Sequence, residues 1–296
     1  MSVPESHYLS NVWKDGIFNG KVAFVTGGNG TICSMQTRAL VRLGANACIV
    51  GRNVEKTDKA AKDIASVRPG AKVIGIGACD VRNAKDLQAA ADRCAKELGA
   101  IDYVIAGAAG NFVSPLEGMS SNAFKAVMDI DVLGTFNTLK ATLPYLVQSK
   151  GRIIYVSATF HYTGMPLQAH VAAAKSSVDS LMASVALEYG PRGVISNVIA
   201  PGAIEGTEGM ERLGGGAGGA EHSKEFAKEI PSGRMGTVRD IADATVYLFS
   251  DAGTYVNGQA LAVDGGAWRR QGAFTLGGDK SITYPEFLIG DEKPKL

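Results

Sequence analysis

Residues 20–43 read GKVAFVTGGNGTICSMQTRALVRL, and this stretch decides the fold. Val22–Thr26 is a short apolar strand, glycines at 27, 28 and 30 make a turn, and residues 32–43 continue as a helix with no breaker before Gly44. A strand that passes through glycines into a helix aims unpaired backbone N–H groups at the turn, where a pyrophosphate can sit against the helix N-terminus. Gly28-x-Gly30-x-x-Cys33 follows the dinucleotide fingerprint except at its last position, where Cys33 replaces the glycine or alanine that packs helix on strand. Three glycines in four positions are unfavourable unless a backbone must come close to something. The stretch reads as a dinucleotide pocket, with Gly27, Gly28, Gly30, Thr31 and Ile32 around the phosphates.

The same alternation runs on through the chain. Apolar runs predict strands at 45–50, 73–78, 101–106, 152–156, 194–199 and 260–263. Between them the spacing predicts helices at 53–65, 84–98, 121–148, 169–189 and 238–250, the long one bent near Gly134 and Pro144. Strands alternating with helices of this length specify an α/β fold: a single-domain Rossmann fold with a doubly wound parallel sheet of about seven strands. Residues 1–19 read as an irregular lead-in pinned by Trp13, Ile17 and Phe18, residues 20–268 as the domain, and residues 269–296 as a tail. Within the domain, 202–231 is too long and glycine-rich for a plain connection, with GGGAGG at 214–219 and a short amphipathic helix expected over 221–230. A long loop at a cleft reads as a substrate lid.

Composition narrows the class of function. The 296 residues are 46% hydrophobic and carry 30 basic against 29 acidic side chains, so nothing points to nucleic acid. No apolar run approaches the ~20 residues of a membrane span, and the first residues hold no signal-peptide core. The expectation is a soluble protein that is not secreted. Cys33, Cys48, Cys79 and Cys94 are widely scattered with no C-x-x-C pair, so they read as small core residues in a reducing compartment, and no metal site is expected.

Ligands of such a sheet bind beyond the carboxyl ends of the strands. Residues 27–32, 51–53, 80–81, 107–112, 157–162 and 201–207 should therefore converge on one cleft. At the end of the second strand, Val50-Gly51-Arg52-Asn53 offers no carboxylate for a ribose 2′-hydroxyl and places Arg52 to pair with a 2′-phosphate, which favours NADPH. Asp80, followed by Val81, either accepts from the adenine amino group or caps the helix beginning near Ala84.

Taken together, several motifs resemble the short-chain dehydrogenase/reductase family over about residues 18–268. They are Thr26-Gly27-Gly28, Ala108-Ala109-Gly110, Lys175, Asn197 with Pro201-Gly202, Asn257-Gly258-Gln259 and Val263-Asp264-Gly265-Gly266. The resemblance implies that Ala108 flanks the cofactor, that Lys175 holds the nicotinamide ribose, and that residues 201–207, including Pro201, Gly202 and Ile204, close over the nicotinamide.

The departures from the family pattern are informative. Where ordinary members carry a tyrosine four residues before the lysine, this chain has Val171, and the supporting serine is Ala158, with Ser157 beside it. The active-site asparagine of the family is Asp131. Carbonyl reduction by the usual route is therefore not expected. One subgroup lacks that tyrosine, the 2,4-dienoyl-CoA reductases. Ala108-Ala109-Gly110-Asn111-Phe112, Asn122-Ala123-Phe124-Lys125, Met128-Asp129-Ile130-Asp131, Ser157-Ala158-Thr159, His170-Val171-x-x-Ala174-Lys175 and Thr207-Glu208-Gly209 are similar to its peroxisomal branch, most of all the fungal version.

That resemblance implies conjugate reduction of an acyl-CoA: a hydride from NADPH at the δ carbon of a 2,4-dienoyl-CoA and a proton at the α carbon, giving a trans-3-enoyl-CoA. Asp131 and Lys175, bridging a water, are the leading proton-handling pair, and a buried structural ion pair is the alternative reading. Asn111, Phe112, Ser157 and, from the lid, Arg212 are candidates for the acyl-CoA site, although a solvated lid charge would explain Arg212 equally. Tyr162 is kept as a displaced hydroxyl donor, while His170, opening a helix, reads as a structural donor. Two other functions stay open at this stage: another enone or carbonyl reductase of the family using Tyr162, and a non-catalytic NADPH-binding protein. The terminal Pro294-Lys295-Leu296 approximates the peroxisomal S-K-L address, which implies an import receptor as partner and the peroxisomal matrix as the working compartment. The resemblance also implies a homodimer or homotetramer.

Overall fold

A computed structural model of the chain describes residues 3–213 and 227–270, the side chains of 211–213 excepted. The glycine run at 214–219, the Arg212 side chain, most of the helix expected at 221–230 and all of the tail from 271, with its terminal tripeptide, lie outside the described residues.

Seven strands form one parallel sheet: β1 (Val22–Thr26), β2 (Asn46–Val50), β3 (Val73–Ile76), β4 (Tyr103–Ala106), β5 (Arg152–Val156), β6 (Ile195–Pro201) and β7 (Ala260–Val263). Their order is β3-β2-β1-β4-β5-β6-β7, so the winding reverses between β1 and β4. Register is continuous across that reversal, with Phe24 opposite Cys48 on one side and Val104 on the other. Among the described residues the α-helices with both ends placed are α1 (Thr31–Arg42), α2 (Val54–Ala65), α3 (Ala84–Leu98), α4 (Ser121–Val127), α5 (Gly134–Ser149), α6 (Ala169–Tyr189), α7 (Glu208–Leu213) and α8 (Val238–Phe249).

Both faces of the sheet are covered, and the two-residue period of each strand divides the core. Ala23, Val25, Ala47, Ile49, Ile105 and Ile154 point into one layer with α1, α2 and α8. Phe24, Cys48, Val50, Val104, Ile153 and Tyr155 point into the other, with α3, α5 and α6. Full burial of a side chain such as Phe24 or Leu40 stabilises the fold by about 1.5–3 kcal/mol each. All four cysteines are buried thiols.

The lead-in packs against this core differently from expectation. Phe18 is buried and Trp13 donates Nε1–H to Asp243 at 2.8 Å, but Ile17 faces solvent and Tyr8 and Leu9 take its place in the core. A second difference concerns the long helix, which divides at a π-helical turn, Met128–Leu133, just before Gly134. The chain turns tightly there against the second strand layer, since a Cβ on Gly134 would fall 2.5 Å from Val81 Cγ2.

Candidate active site

The carboxyl ends of the strands open into one continuous cleft. Its wider part, about 460 Å³, lies over β1, β2 and β4 and is lined by Gly27, Asn29, Gly30, Arg52, Asp80 and Val81 among others. The second part, about 270 Å³, lies over β5 and β6 and is lined by Asp131, Ser157, Val171, Lys175 and Pro201, together with the start of α7. Residues 27, 30 and 109–111 border both parts, which places the turn after β1 and the loop after β4 at the centre.

The glycine turn is shaped for backbone approach. Gly27 has a φ of +68°, and a Cβ there would meet Gly107 O at 2.9 Å. Gly30 caps α1 without a side-chain bond, leaving the first N–H groups of the helix facing the cleft. Gly28 does not line the cleft; it lets the turn sit on β2, where a Cβ would be 2.6 Å from Ile49 Cβ. On this side Arg52 stands exposed at the end of β2, and Lys56, on the first turn of α2, pairs with Glu208 of α7 at 3.2 Å. Asp80 is gripped by Arg82, whose guanidinium holds its carboxyl down to about 2. It does not cap α3; Asn83 does, accepting from Lys85 N at 3.0 Å. Val81 is fixed from behind, because Asn137 Nδ2 donates to its carbonyl at 3.0 Å.

On the other side of the cleft, Lys175 and Asp131 meet. Lys175 Nζ lies 3.1 Å from Asp131 Oδ2 and donates to Val156 O at 3.0 Å. The other oxygen of Asp131 accepts from Gly110 N at 2.7 Å, so the carboxylate ties α6 to the loop after β4. Asp131 sits in the π-helical turn and is fully buried. Around this pair the walls are apolar: Val171 and Ala158 are buried, and Val171 packs in a small cluster with Phe112 and Phe160. Ser157 is 5% exposed, and its Oγ has no hydrogen-bond partner. Cys33, at the irregular position of the fingerprint, also faces this part of the cleft, its thiol pushed up to about 12 by burial.

Tyr162 is directed elsewhere. Its hydroxyl donates to Asp179 Oδ2 at 3.0 Å, His161 Nε2 contacts the same oxygen at 2.9 Å, and the phenol packs on Trp268. Burial first, and then the Asp179 charge, pushes the Tyr162 phenol well above its ordinary range. His170, at the start of α6, is wholly buried, and burial lowers its pKa, so the ring is neutral. Its Nε2–H donates to Phe112 O at 3.1 Å, with the Phe112 ring stacked on it at 4.1 Å.

The cleft brings together Gly27, Gly30, Thr31, Ile32, Arg52, Asp80, Val81, Ala108, Asn111, Phe112, Asp131, Ser157, Lys175, Pro201, Gly202 and Ile204. Other motif residues serve the sheet: Asn197 Nδ2 donates to Val256 O at 2.6 Å and Asn257 Oδ1 accepts from Ser196 N at 2.9 Å, joining β6 to β7. Lys56 and Met210 line the cleft from outside the strand-end segments expected there, and Asn29 and Phe160 lie within those segments but were given no role of their own. A signal existed for Lys56, one helical turn after Arg52, and for Phe160, four residues past the end of β5.

Comparison with known proteins gives one consistent result. Residues 29–267 match the family described as enoyl-(acyl carrier protein) reductase. The chain is 50% identical over 285 residues to the peroxisomal 2,4-dienoyl-CoA reductase SPS19 of Saccharomyces cerevisiae, covering 96% of this chain and 94% of the relative. It is 41% identical over 263 residues to the peroxisomal 2,4-dienoyl-CoA reductase of Danio rerio, covering 88% and 85%. Among solved structures, levodione reductase superposes with a TM-score of 0.80 at 27% identity, covering 85% of this chain and 99% of that one. A short-chain dehydrogenase of Bacillus anthracis superposes with a TM-score of 0.75 at 34% identity, covering 84% and 97%.

Proposed function

The chain belongs to the short-chain dehydrogenase/reductase family, whose members use a nicotinamide cofactor, and from that premise we propose that it is an NADPH-dependent 2,4-dienoyl-CoA reductase of the peroxisome. One observation carries the reading: the buried Asp131–Lys175 pair faces a cleft whose walls are Val171 and Ala158, where alcohol chemistry would need hydroxyls. The names of the relatives point to the same activity and the same compartment.

The cleft suits a dinucleotide. Its floor is glycine backbone, with Gly27 set so closely on Gly107 and Ala108 that no Cβ would fit, and the N–H groups at the start of α1 are open toward it. Gly27, Gly30, Thr31 and Ile32 would hold the pyrophosphate, with Gly28 supporting the turn from below. Asp80, Val81 and Ala108 would flank the adenosine, and Arg52 would take the 2′-phosphate, which selects NADPH over NADH. Pro201, Gly202 and Ile204 would border the nicotinamide. The chemistry this cofactor supplies when bound is hydride donation.

Reduction of a 2,4-dienoyl thioester adds a hydride at the δ carbon and a proton at the α carbon, and the remaining double bond moves to carbon 3. Negative charge develops on the thioester oxygen as the δ carbon is reduced, and it needs donors already in place. Ser157 Oγ, buried and without a partner, supplies one; Asn111 borders the same part of the cleft, and Phe112 packs behind it against Val171. Lys175, pinned by Val156 O, lends positive charge and orders a water against Asp131. That water delivers the α proton and takes one in turn from the Lys175 ammonium, so no hydroxide is left, while Asp131 holds the ammonium in place and solvent restores its proton. Arg212, on α7, is the remaining basic candidate for the acyl-CoA.

The alternative using Tyr162 is not favoured, because its hydroxyl is committed to Asp179 and its phenol is a poor acid. We also propose that Pro294-Lys295-Leu296 engages an import receptor and that the protein is a homodimer or homotetramer. Among the described residues β7 ends the sheet, and such an edge supports association.

The test mixes purified protein with NADPH and a medium-chain 2,4-dienoyl-CoA and follows absorbance of cofactor and diene together. Stoichiometric loss of both is expected, reduced by about 10²–10⁴ in Asp131→Asn and Asp131→Ala with NADPH binding retained. A protein that binds NADPH and leaves the diene unchanged would instead be a non-catalytic binding protein.

A further inference from the structure

We propose that Gln168 and His170 are positioning residues for the acyl site, jointly clamping the Phe112 carbonyl so that the Asn111–Phe112 wall stands in one place. The inference rests on the reductase reading above. Its basis is an unusual convergence. Gln168 Nε2 donates to Phe112 O at 2.9 Å, and His170 Nε2 donates to the same oxygen at 3.1 Å. Both side chains are wholly buried, although Gln168 is a residue type that ordinarily lies at a surface.

The arrangement is costly in isolation. Gln168 Oε1 and His170 Nδ1 are buried with no hydrogen-bond partner. Burying such polar groups is unfavourable, and an apolar pair of the same volume would fill the space without that penalty. Leu167, immediately before, adopts a φ of +67°, a strained conformation for a branched residue. Strain and unmet polar groups in one short stretch are retained where the surroundings dictate a geometry.

What this stretch dictates is the loop after β4. The loop is held at two points, Gly110 N by Asp131 and Phe112 O by the Gln168–His170 clamp. Asn111 lies between them, with its backbone fixed from both sides. The His170 ring also stacks on the Phe112 ring, with 23° between the planes, and so fixes the side chain as well as the carbonyl. Because Asp131 holds one anchor and the first turns of α6 carry both the clamp and Lys175, the proton-handling pair and the acyl wall are built as one unit. The clamp touches neither the glycine turn nor Arg52, and although Phe112 also borders the wider part of the cleft, its ring packs on Val171 beside the acyl side, so the effect should fall more on the acyl substrate than on the cofactor.

The experiment compares wild type with His170→Ala and His170→Gln, the latter keeping an amide N–H near the position of Nε2. Three quantities are read in each: KM and kcat with NADPH and 2,4-decadienoyl-CoA, the equilibrium Kd of trans-3-decenoyl-CoA on NADP⁺-loaded protein, and the Kd of NADPH. In His170→Ala the acyl-CoA KM and Kd should rise about tenfold, the loss expected for one well-placed hydrogen bond. NADPH Kd should stay within about twofold, and His170→Gln should recover most of the acyl-CoA affinity. A fall in melting temperature with NADPH and acyl-CoA affinity weakened alike would mean a merely structural histidine and would overturn the proposal. Unchanged acyl-CoA affinity in a folded His170→Ala protein would overturn it too. If wild type binds decenoyl-CoA but turns over no diene, the reductase reading fails while the clamp is still judged on Kd. If wild type binds no acyl-CoA, both fail.

Discussion

The Cys33 thiol fills the space that a side chain on residue 107 would need: a Cβ built on Gly107 falls 2.2 Å from Cys33 Sγ. The departure from the glycine fingerprint at residue 33 is thus matched by a glycine on the facing loop. Helix α1 and the end of β4 still pack closely, with the small residue moved to the other partner. Gly107→Ala should cost about 1–3 kcal/mol through overpacking. The double variant Gly107→Ala/Cys33→Gly should recover a good part of it, short of all, because Thr26 O and Val156 Cγ2 also lie 3.3 Å from that Cβ. Denaturant midpoints of the four proteins in this cycle measure the coupling, and simple additivity would sink the idea.

Tyr162→Phe separates two chemistries. Its hydroxyl donates to Asp179, an oxygen that His161 also contacts, so removing it leaves the carboxylate with one partner. The expected result is a stability loss of about 1–2 kcal/mol with kcat for the dienoyl-CoA within about threefold of wild type. A drop of a hundredfold or more, without loss of folding, would make the phenol the proton donor and return the enone-reductase reading to first place.

The fold was legible because its cues are local. β1, β5, β7, α3 and α6 begin and end where apolar runs and helix punctuation place them. The convergence of loops at the cleft followed from topology, since all strands run parallel and their carboxyl ends share one edge. Three features had no such cue. The π-helical turn that carries Asp131 is a shift of backbone hydrogen bonding, and the residues in it, Met128–Leu133, would suit an α-helix equally. The clamp on Phe112 joins residues 56 and 58 positions apart, and neither partner has a pattern around it that announces the other. Asp80 looked free to cap α3, but Arg82, two residues on, captures it first, and Asn83 takes the cap.

A pH effect on stability follows from the start of α8. Thr237 and Asp240 form a capping box, and Arg234 forks onto the same carboxylate with two contacts of 2.8 Å. The Arg234 hydrogen bonds, aided by the Thr237 amide and hydroxyl, hold the Asp240 carboxyl well below the usual range. A depressed carboxylate stabilises the native state above the unfolded pKa of about 3.9 and loses that contribution as pH falls through the folded value. Because Arg234 is mostly exposed, solvent screening limits the gain, and the cap and pair together are worth about 1 kcal/mol. Asp240→Ala should therefore melt about 2–4 °C below wild type at pH 7. The gap should narrow once the pH is taken below about 4. A gap that is constant from pH 7 to pH 3 would assign the loss to packing instead.

Cofactor choice is the remaining consequence of the strand-end pattern, and the proposed reading assigns it to Arg52. The residue stands exposed where β2 ends, on the rim of the wider part of the cleft, with no carboxylate from residues 50–53 to compete for a ribose hydroxyl. A charge-assisted hydrogen bond to a 2′-phosphate contributes roughly 1.5–3 kcal/mol, on the order of ten- to a hundredfold in affinity. Exposure places the value at the lower end at physiological salt. Arg52→Ala should raise the KM for NADPH about tenfold and leave the KM for NADH unchanged, since NADH lacks the group that Arg52 meets. Lys56 is the second cation on this rim, but its ammonium is shared with Glu208, so Lys56→Ala should have a smaller effect of the same sign. Raising the salt concentration should weaken NADPH in wild type more than in Arg52→Ala, because screening acts on the contact that the variant lacks. Equal losses for both nicotinamides would place Arg52 in the general architecture of the cleft and leave the selection of the phosphate to another group.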